Sequence, residues 1–357
     1  MAEVEEGIAG FLDSLKRDGE YESSGHFSLD SKTSLDKLKK FRLTNPAELV
    51  LHLVACATYR GATRIQVELA PTSLRMAFDG KNFSKSEMES IFSSYFVSEH
   101  SPANLSRSSL AIALQTVQSL DPDFIVFESW KGGQGQIMQL YEEKVWLETL
   151  ERKDKKDDSE SFQYCCYELR ENFWNYCLPS LSKAGKAEAD LFRVRCAYGP
   201  ARVWLNGRLL QAPVEGMLFQ FAADGAPPFL PGVIEETPIR SAPFWGTVQV
   251  LQPKSNFYAV GRTEILWVVG GVAYLDTTAR DFPSGLRMTV HAPDLRKDLS
   301  HSRILDDELM ARRRDELREA VRALILNDSR FELETALRLW AEPKPRSSPI
   351  IRRRNSR

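Results

Sequence analysis

The sequence has no apolar run near the roughly 20 residues that a helix needs to cross a bilayer, so a membrane-spanning helix is not expected. It has almost no net charge, −2 at pH 7, and with it no overall electrostatic pull toward nucleic acid or an anionic membrane. Its five cysteines (Cys56, Cys165, Cys166, Cys177 and Cys196) contain no Cys-x-x-Cys spacing. Neither a structural metal site nor a disulfide framework is therefore expected, and the thiols read as reduced and buried. The acidic start, Met1-Ala2-Glu3-Val4-Glu5-Glu6, lacks the basic region and apolar stretch of a secretory signal. Together these absences point to a cytoplasmic protein.

What is present is ordinary for a folded chain: 43% apolar and 27% charged residues. A length of 357 residues suits two domains of about 150 residues each. The texture divides the chain into an N-terminal extension (1–24), a first domain (25–185), a second domain (186–328), and a C-terminal helix with a basic tail (329–357). The tail carries Arg352-Arg353-Arg354, which reads as a solubilising end.

Local patterns then set out the elements. Apolar residues three apart predict a helix over 34–41. Asn45-Pro46 starts another, with Asn45 as cap and Pro46 in its first turn. That helix, 47–59, is nearly all apolar and should be buried on most sides; Gly61 ends it. Alternation predicts strands over 64–69 and 74–78, and Ser84 caps a helix over 85–92. Residues 93–109 are polar and weakly patterned, followed by an apolar helix over 110–120. Strands over 124–129 and 136–141 form a hairpin around Gly132-Gly133-Gln134-Gly135, and 162–169 is a further strand. After about 190 the chain turns β-rich: an Asn206-Gly207 hairpin over 201–210, a proline- and glycine-rich loop over 211–243, and strands near 246–251, 265–269 and 286–290. A long amphipathic helix covers 305–326, and a short one 331–340.

Glu48, His52 and Ala55 share one face of the apolar helix, because positions four and seven apart align. A carboxylate in such a helix is costly unless it is paired. A second acid, Asp79, followed by Gly80, ends the apolar strand Met76-Ala77-Phe78. Two acids at the edges of buried elements suggest one polar pocket; the competing reading leaves Glu48 at a helix start, where an acid favours the helix dipole.

The segment Glu48-Leu49-Val50-Leu51-His52-Leu53-Val54-Ala55-Cys56-Ala57 resembles the first ATP-site motif of the ninety-kilodalton heat-shock chaperones and their superfamily. That superfamily unites chaperone, gyrase, histidine-kinase and mismatch-repair ATPases (GHKL), and the motif reads Glu-x-x-x-Asn-x-x-Asp-Ala. Gly61-Ala62-Thr63-Arg64-Ile65 and the order strand, strand, Asp, short helix resemble the family as well. The resemblance implies an α+β fold: a mixed sheet covered by helices on one face, followed by a smaller transducer-like α/β domain. It implies ATP as ligand, with Glu48 as general base and Asp79, beside Gly80, as acceptor of the adenine amino group. His52 stands where the family's asparagine holds magnesium, and a nitrogen is a poor ligand for that hard ion. Ala55 replaces the helix aspartate. The family's Asp-x-Gly-x-Gly becomes Asp79-Gly80-Lys81-Asn82-Phe83. Where a glycine-rich phosphate loop belongs, ahead of the helix expected at Leu110, stand Ser106, Arg107, Ser108 and Ser109. Farther on, the stretch from Asp294 to Leu305 is similar to the chaperone segment whose arginine reaches the terminal phosphate; His301 takes that slot, with Arg303 two residues on.

The resemblance thus implies a degenerate nucleotide site. The expectation is a chaperone-like protein that binds adenine nucleotide weakly, hydrolyses it little, and uses occupancy to switch its domain arrangement. The alternative is a pseudo-ATPase that binds no nucleotide and serves as a protein-interaction scaffold. Protein clients or partners are expected under either reading, and neither membrane nor nucleic acid is.

Overall fold

The computed structural model describes residues 43–96, 101–141, 144–151, 161–170, 185–212, 217–222, 244–250, 263–276, 282–283, 285–298 and 303–327. The helices expected over 34–41 and 331–340, Cys177, His301 and the arginine tail lie outside them.

Asn45 caps a short 3-10 turn, Pro46–Glu48, by accepting the Ala47 amide at 3.2 Å. The turn leads into helix α1 (Leu49–Tyr59), and every residue from Leu49 to Ala57 is buried. An apolar surface all the way round requires cover on several sides. Helix α3 (Pro102–Gln118), helix α4 (Lys186–Arg195) and strand β12 (Val272–Asp276) all pack against α1.

Two sheets carry the fold. The first runs in the order β5-β4-β3-β6-β2-β1-β7-β8. Its strands are β1 (Arg64–Leu69), β2 (Ser73–Phe78), β3 (Pro122–Lys131), β4 (Gln134–Tyr141), β5 (Lys144–Glu151), β6 (Ser161–Leu169), β7 (Arg202–Leu205) and β8 (Arg208–Leu209). All neighbours are antiparallel except β1 and β7. Ile65, Val67, Leu74 and Met76 alternate inward to share one apolar core with α1 and α3. The second sheet, β12-β11-β13-β10-β9, uses β9 (Met217–Ala222), β10 (Trp245–Val250), β11 (Glu264–Val269) and β13 (Leu286–His291). Helix α5 (Glu308–Asn327) is tied to it by ion pairs. Arg314 holds Asp276 at 2.9 Å and Arg313 holds Asp294.

The β7–β8 hairpin, turning at Asn206-Gly207, completes the first sheet. That sheet therefore extends well past the boundary expected at 185, because β7 finds a parallel partner in β1. The second sheet seats on α1 through glycine. In the β11–β12 turn, a Cβ on Gly271 would come 2.3 Å from Thr58 Oγ1, and one on Gly270 2.9 Å from the Tyr59 ring. Both residues also have positive φ, so glycine is required there twice over.

Candidate functional site

Helix α1 separates the expected site residues into two groups. Glu48 immediately precedes it, whereas Asp79 lies beyond its other end, fixed to Thr63. Eleven residues at 1.5 Å each make α1 about 16 Å long, and the two acids belong to its opposite ends.

Asp79 closes the loop after α1. Its Oδ1 accepts the amides of Thr63 and Arg64, each at 2.8 Å, and its Oδ2 accepts the Thr63 hydroxyl. Gly80 follows at φ +106°, where a Cβ would sit 2.8 Å from the Arg60 carbonyl. Lys81 donates its amide to that same carbonyl at 2.9 Å. The Asp79-Gly80 pair thus has a complete structural role in joining the exit of β2 to the end of α1.

Beside this loop lies a buried polar cluster centred on Arg60, which is 5% exposed. Its Nε donates to Ser106 Oγ at 3.1 Å and a terminal nitrogen to Glu87 Oε1 at 2.8 Å. The guanidinium lies 3.6 Å from the centre of the Phe83 ring. Glu87 belongs to helix α2 (Lys85–Glu89), where it is the N3 residue of a capping box with Ser84. Burial pushes the Glu87 carboxyl upward. Its bonds from the Ser84 amide and from Arg60 outweigh that and leave it below its ordinary value. The Phe83 amide donates to Ser129 Oγ at 2.7 Å, which fixes the loop after Asp79 to β3.

Ser106, Arg107 and Ser108 are not a loop ahead of a helix. Helix α3 begins at Pro102 rather than near Leu110, with Ser101 as cap. Inside a helix the amides from position 106 onward bond to carbonyls one turn back and are not free to cradle an anion. The side chains are likewise engaged. Ser106 is fully buried, donating to the Cys56 carbonyl at 3.2 Å while accepting from Arg60. Ser108 donates to the Leu105 carbonyl at 3.1 Å. Arg107 donates to Ser90 Oγ at 3.2 Å and Asn104 Oδ1 at 3.3 Å. The signal for the early start was Ser101-Pro102, a cap followed by proline in the first position.

At the other end, Glu48 is half-buried. Burial pushes its carboxyl above its ordinary value, with Arg195 opposing and Asp298 reinforcing the shift. Arg195, the last residue of α4, donates to the Ala273 carbonyl at 2.8 Å and lies over the Tyr274 ring. Lys297 stands over the Tyr59 ring, 5.4 Å from its centre. Arg303 is largely exposed and reaches Asp298 at 3.5 Å. Asp298 thus acts on Glu48 and on Arg303 alike. His52 is buried midway along α1. Among the described residues, no group of three or more His, Cys, Asp or Glu side chains is placed to hold a metal ion.

Arg60, Glu87, Arg195 and Lys297 were not singled out from sequence. Arg60 had a signal: a cation one turn beyond Cys56 on an otherwise apolar helix needs a buried partner.

With this geometry in view, the chain can be set beside known proteins. No known protein family matches the sequence, and no curated protein is detectably similar to it. Solved structures do match. The B-subunit of DNA gyrase from Myxococcus xanthus aligns with a TM-score of 0.51 at 10% identity, covering 87% of this chain and 99% of that one. The ATPase region of Saccharomyces cerevisiae topoisomerase II aligns at 0.42 and 8% identity, over 81% and 82%. The fold is thus the GHKL fold, as seen in the gyrase subunit. At such low identity the likeness extends to the fold alone. Among the described residues, no helix is long and apolar enough to cross a membrane.

Proposed function

We propose that this chain is a GHKL-fold protein that acts as a protein-interaction scaffold, without ATP turnover. The observation that carries the reading is the Arg60 cluster. Arg60, Phe83, Glu87 and Ser106 fill the space between the Asp79 loop, α2 and the start of α3, and they satisfy one another there. A purine seated against Asp79 would have to share that space with the cluster. Asp79 already accepts from three donors, two on Oδ1 and one on Oδ2, which leaves little of its accepting capacity for a purine.

The residues present do not fit an ATP–magnesium group. His52 offers nitrogen to an ion that takes oxygen ligands. The amides of Ser106, Arg107 and Ser108 lie inside a helix. Most acceleration of phosphoryl transfer comes from charge and metal stabilisation at the phosphates. A general base alone is worth about 10²–10⁴-fold, so Glu48 by itself would leave turnover negligible.

A second reading, weak adenine-nucleotide binding that switches the arrangement of the two sheets, draws on one observation. Glu48 is a half-buried carboxylate held above its ordinary pKa, with Arg195 and Asp298 acting on it. The kinship to ninety-kilodalton chaperones, and with it a client-handling role, belongs to this reading. Steady-state ATP hydrolysis with magnesium separates the two. The scaffold reading expects no turnover and no difference between wild type and Glu48→Ala. Turnover that Glu48→Ala abolishes would overturn it.

A further inference from the structure

Strand β5 ends the first sheet, and among the described residues no strand pairs with its outer edge. A free edge is a row of unpaired donors and acceptors, and proteins usually keep such edges short, twisted or guarded by charge. This one is eight residues long and carries Trp146 at 60% exposure and Leu150 at 41%. Lys144, Trp146, Glu148 and Leu150 alternate onto the same face of the strand. Its inward neighbours, Val145 and Leu147, pack against the core.

The order of these side chains fits one occupant. In an antiparallel pairing related by a two-fold axis normal to the sheet, residues facing each other lie on the same face. Centred on Trp146, such a pairing sets Lys144 of one copy opposite Glu148 of the other, Val145 opposite Leu147, and Trp146 opposite Trp146. The two-fold repeats each contact, giving two opposite-charge pairs around a central aromatic pair. Opposite charges and aromatics facing across strands are both favourable, and like charges in the same places are unfavourable. A centre at Glu148 would set that carboxylate against itself. The charges on this edge therefore complement a second copy of the same strand, where a guarded edge would repel it.

We propose that the chain forms a two-fold dimer through antiparallel pairing of β5 with β5, centred on Trp146. This continues the eight-stranded sheet across the dimer axis. The surface lies on the opposite edge of that sheet from β7 and β8 and does not involve Arg60, Glu48 or Asp79, so it stands apart from the nucleotide question.

Sedimentation velocity over a concentration series tests it. Wild type is expected to dimerise. Lys144→Glu and Glu148→Lys each replace two attractions with two repulsions and should weaken the dimer at least about tenfold. The double variant, Lys144→Glu with Glu148→Lys, restores opposite charges and should recover dimerisation toward wild type. Circular dichroism checks that the single variants remain folded; should either fail to fold, the double variant and Trp146→Ser carry the test. A wild type that stays monomeric at all concentrations overturns the proposal. So does a dimer that neither single reversal weakens, or one that the double variant fails to restore.

Discussion

Replacing Arg60 by alanine should expose how much of the fold's stability rests on the cluster beside the Asp79 loop. The Arg60 side chain is 1% exposed and that of its partner Glu87 is 21%. Removing one member of a fully buried ion pair costs about 3–5 kcal/mol, because the other charge is left without its partner. Water can reach Glu87, which lowers that figure. The lost contact with the Phe83 ring adds about 0.5–2 kcal/mol. We therefore expect Arg60→Ala to destabilise by about 3 kcal/mol at pH 7, read as a fall in the urea midpoint at unchanged slope. The pH dependence follows from Glu87, whose carboxyl is held below its ordinary 4.5 in the fold. Such a group contributes stability that is present in full above 4.5 and is lost as pH falls through its folded value. The gap between wild type and Arg60→Ala should therefore narrow below pH 4.5. Replacing both partners by methionine should recover most of the loss, since an apolar pair leaves no charge stranded. A loss under about 1 kcal/mol at pH 7, or a gap that does not narrow in acid, would refute the reasoning.

Two further outcomes concern the seam between the sheets. Gly271→Ala places a Cβ 2.3 Å from Thr58 Oγ1 at a positive φ. It should cost about 2–4 kcal/mol, and Thr58→Ala in the same chain should relieve the clash but not the backbone strain, as thermal melts would show. Lys297 is pushed down to about 7 by burial and by Arg195, with Asp298 opposing. Above pH 7 the unfolded chain holds a proton on this lysine that the folded chain does not, so stability should rise with pH. The window ends near pH 8.5, where thiols of the unfolded chain begin to ionise and those buried in the fold, such as Cys56 at about 11, do not. Urea midpoints between pH 7 and 8.5 should rise for wild type and stay flat for Lys297→Met; an equal rise in both would contradict the assignment.

Much of the fold could be read from local chemistry. The apolar run behind Asn45-Pro46 became α1, alternation located β1 and β2, and Asn206-Gly207 turned β7 into β8. What failed was partnership. Nothing in the hairpin 201–210 shows that β7 pairs with β1 more than 130 residues earlier, because a parallel register leaves no local mark. Strand β5 was missed because Lys144, Glu148 and Glu151 make an edge strand look like a charged loop. Strand β9 fell within a stretch whose prolines and glycines suggested none. The start of α3 was missed through Ser106, Ser108 and Ser109, whose polarity suggested a loop although the fold buries them. The candidate site suffered from the same blindness. Sequence supplied Glu48 and Asp79 as unusual acids, but the positive φ of Gly80 and the three donors on Asp79 serve the loop after α1. The cation that fills the neighbouring space, Arg60, looked like an ordinary helix end.

Titration calorimetry with ATP addresses the central claim most directly, on wild type and Asp79→Asn, each with magnesium and with EDTA. If Arg60 and its partners fill the space beside Asp79, no sample gives binding heat. Saturable heat in wild type that Asp79→Asn abolishes would contradict the account, because Asp79 would then be receiving a purine as well as closing its own loop.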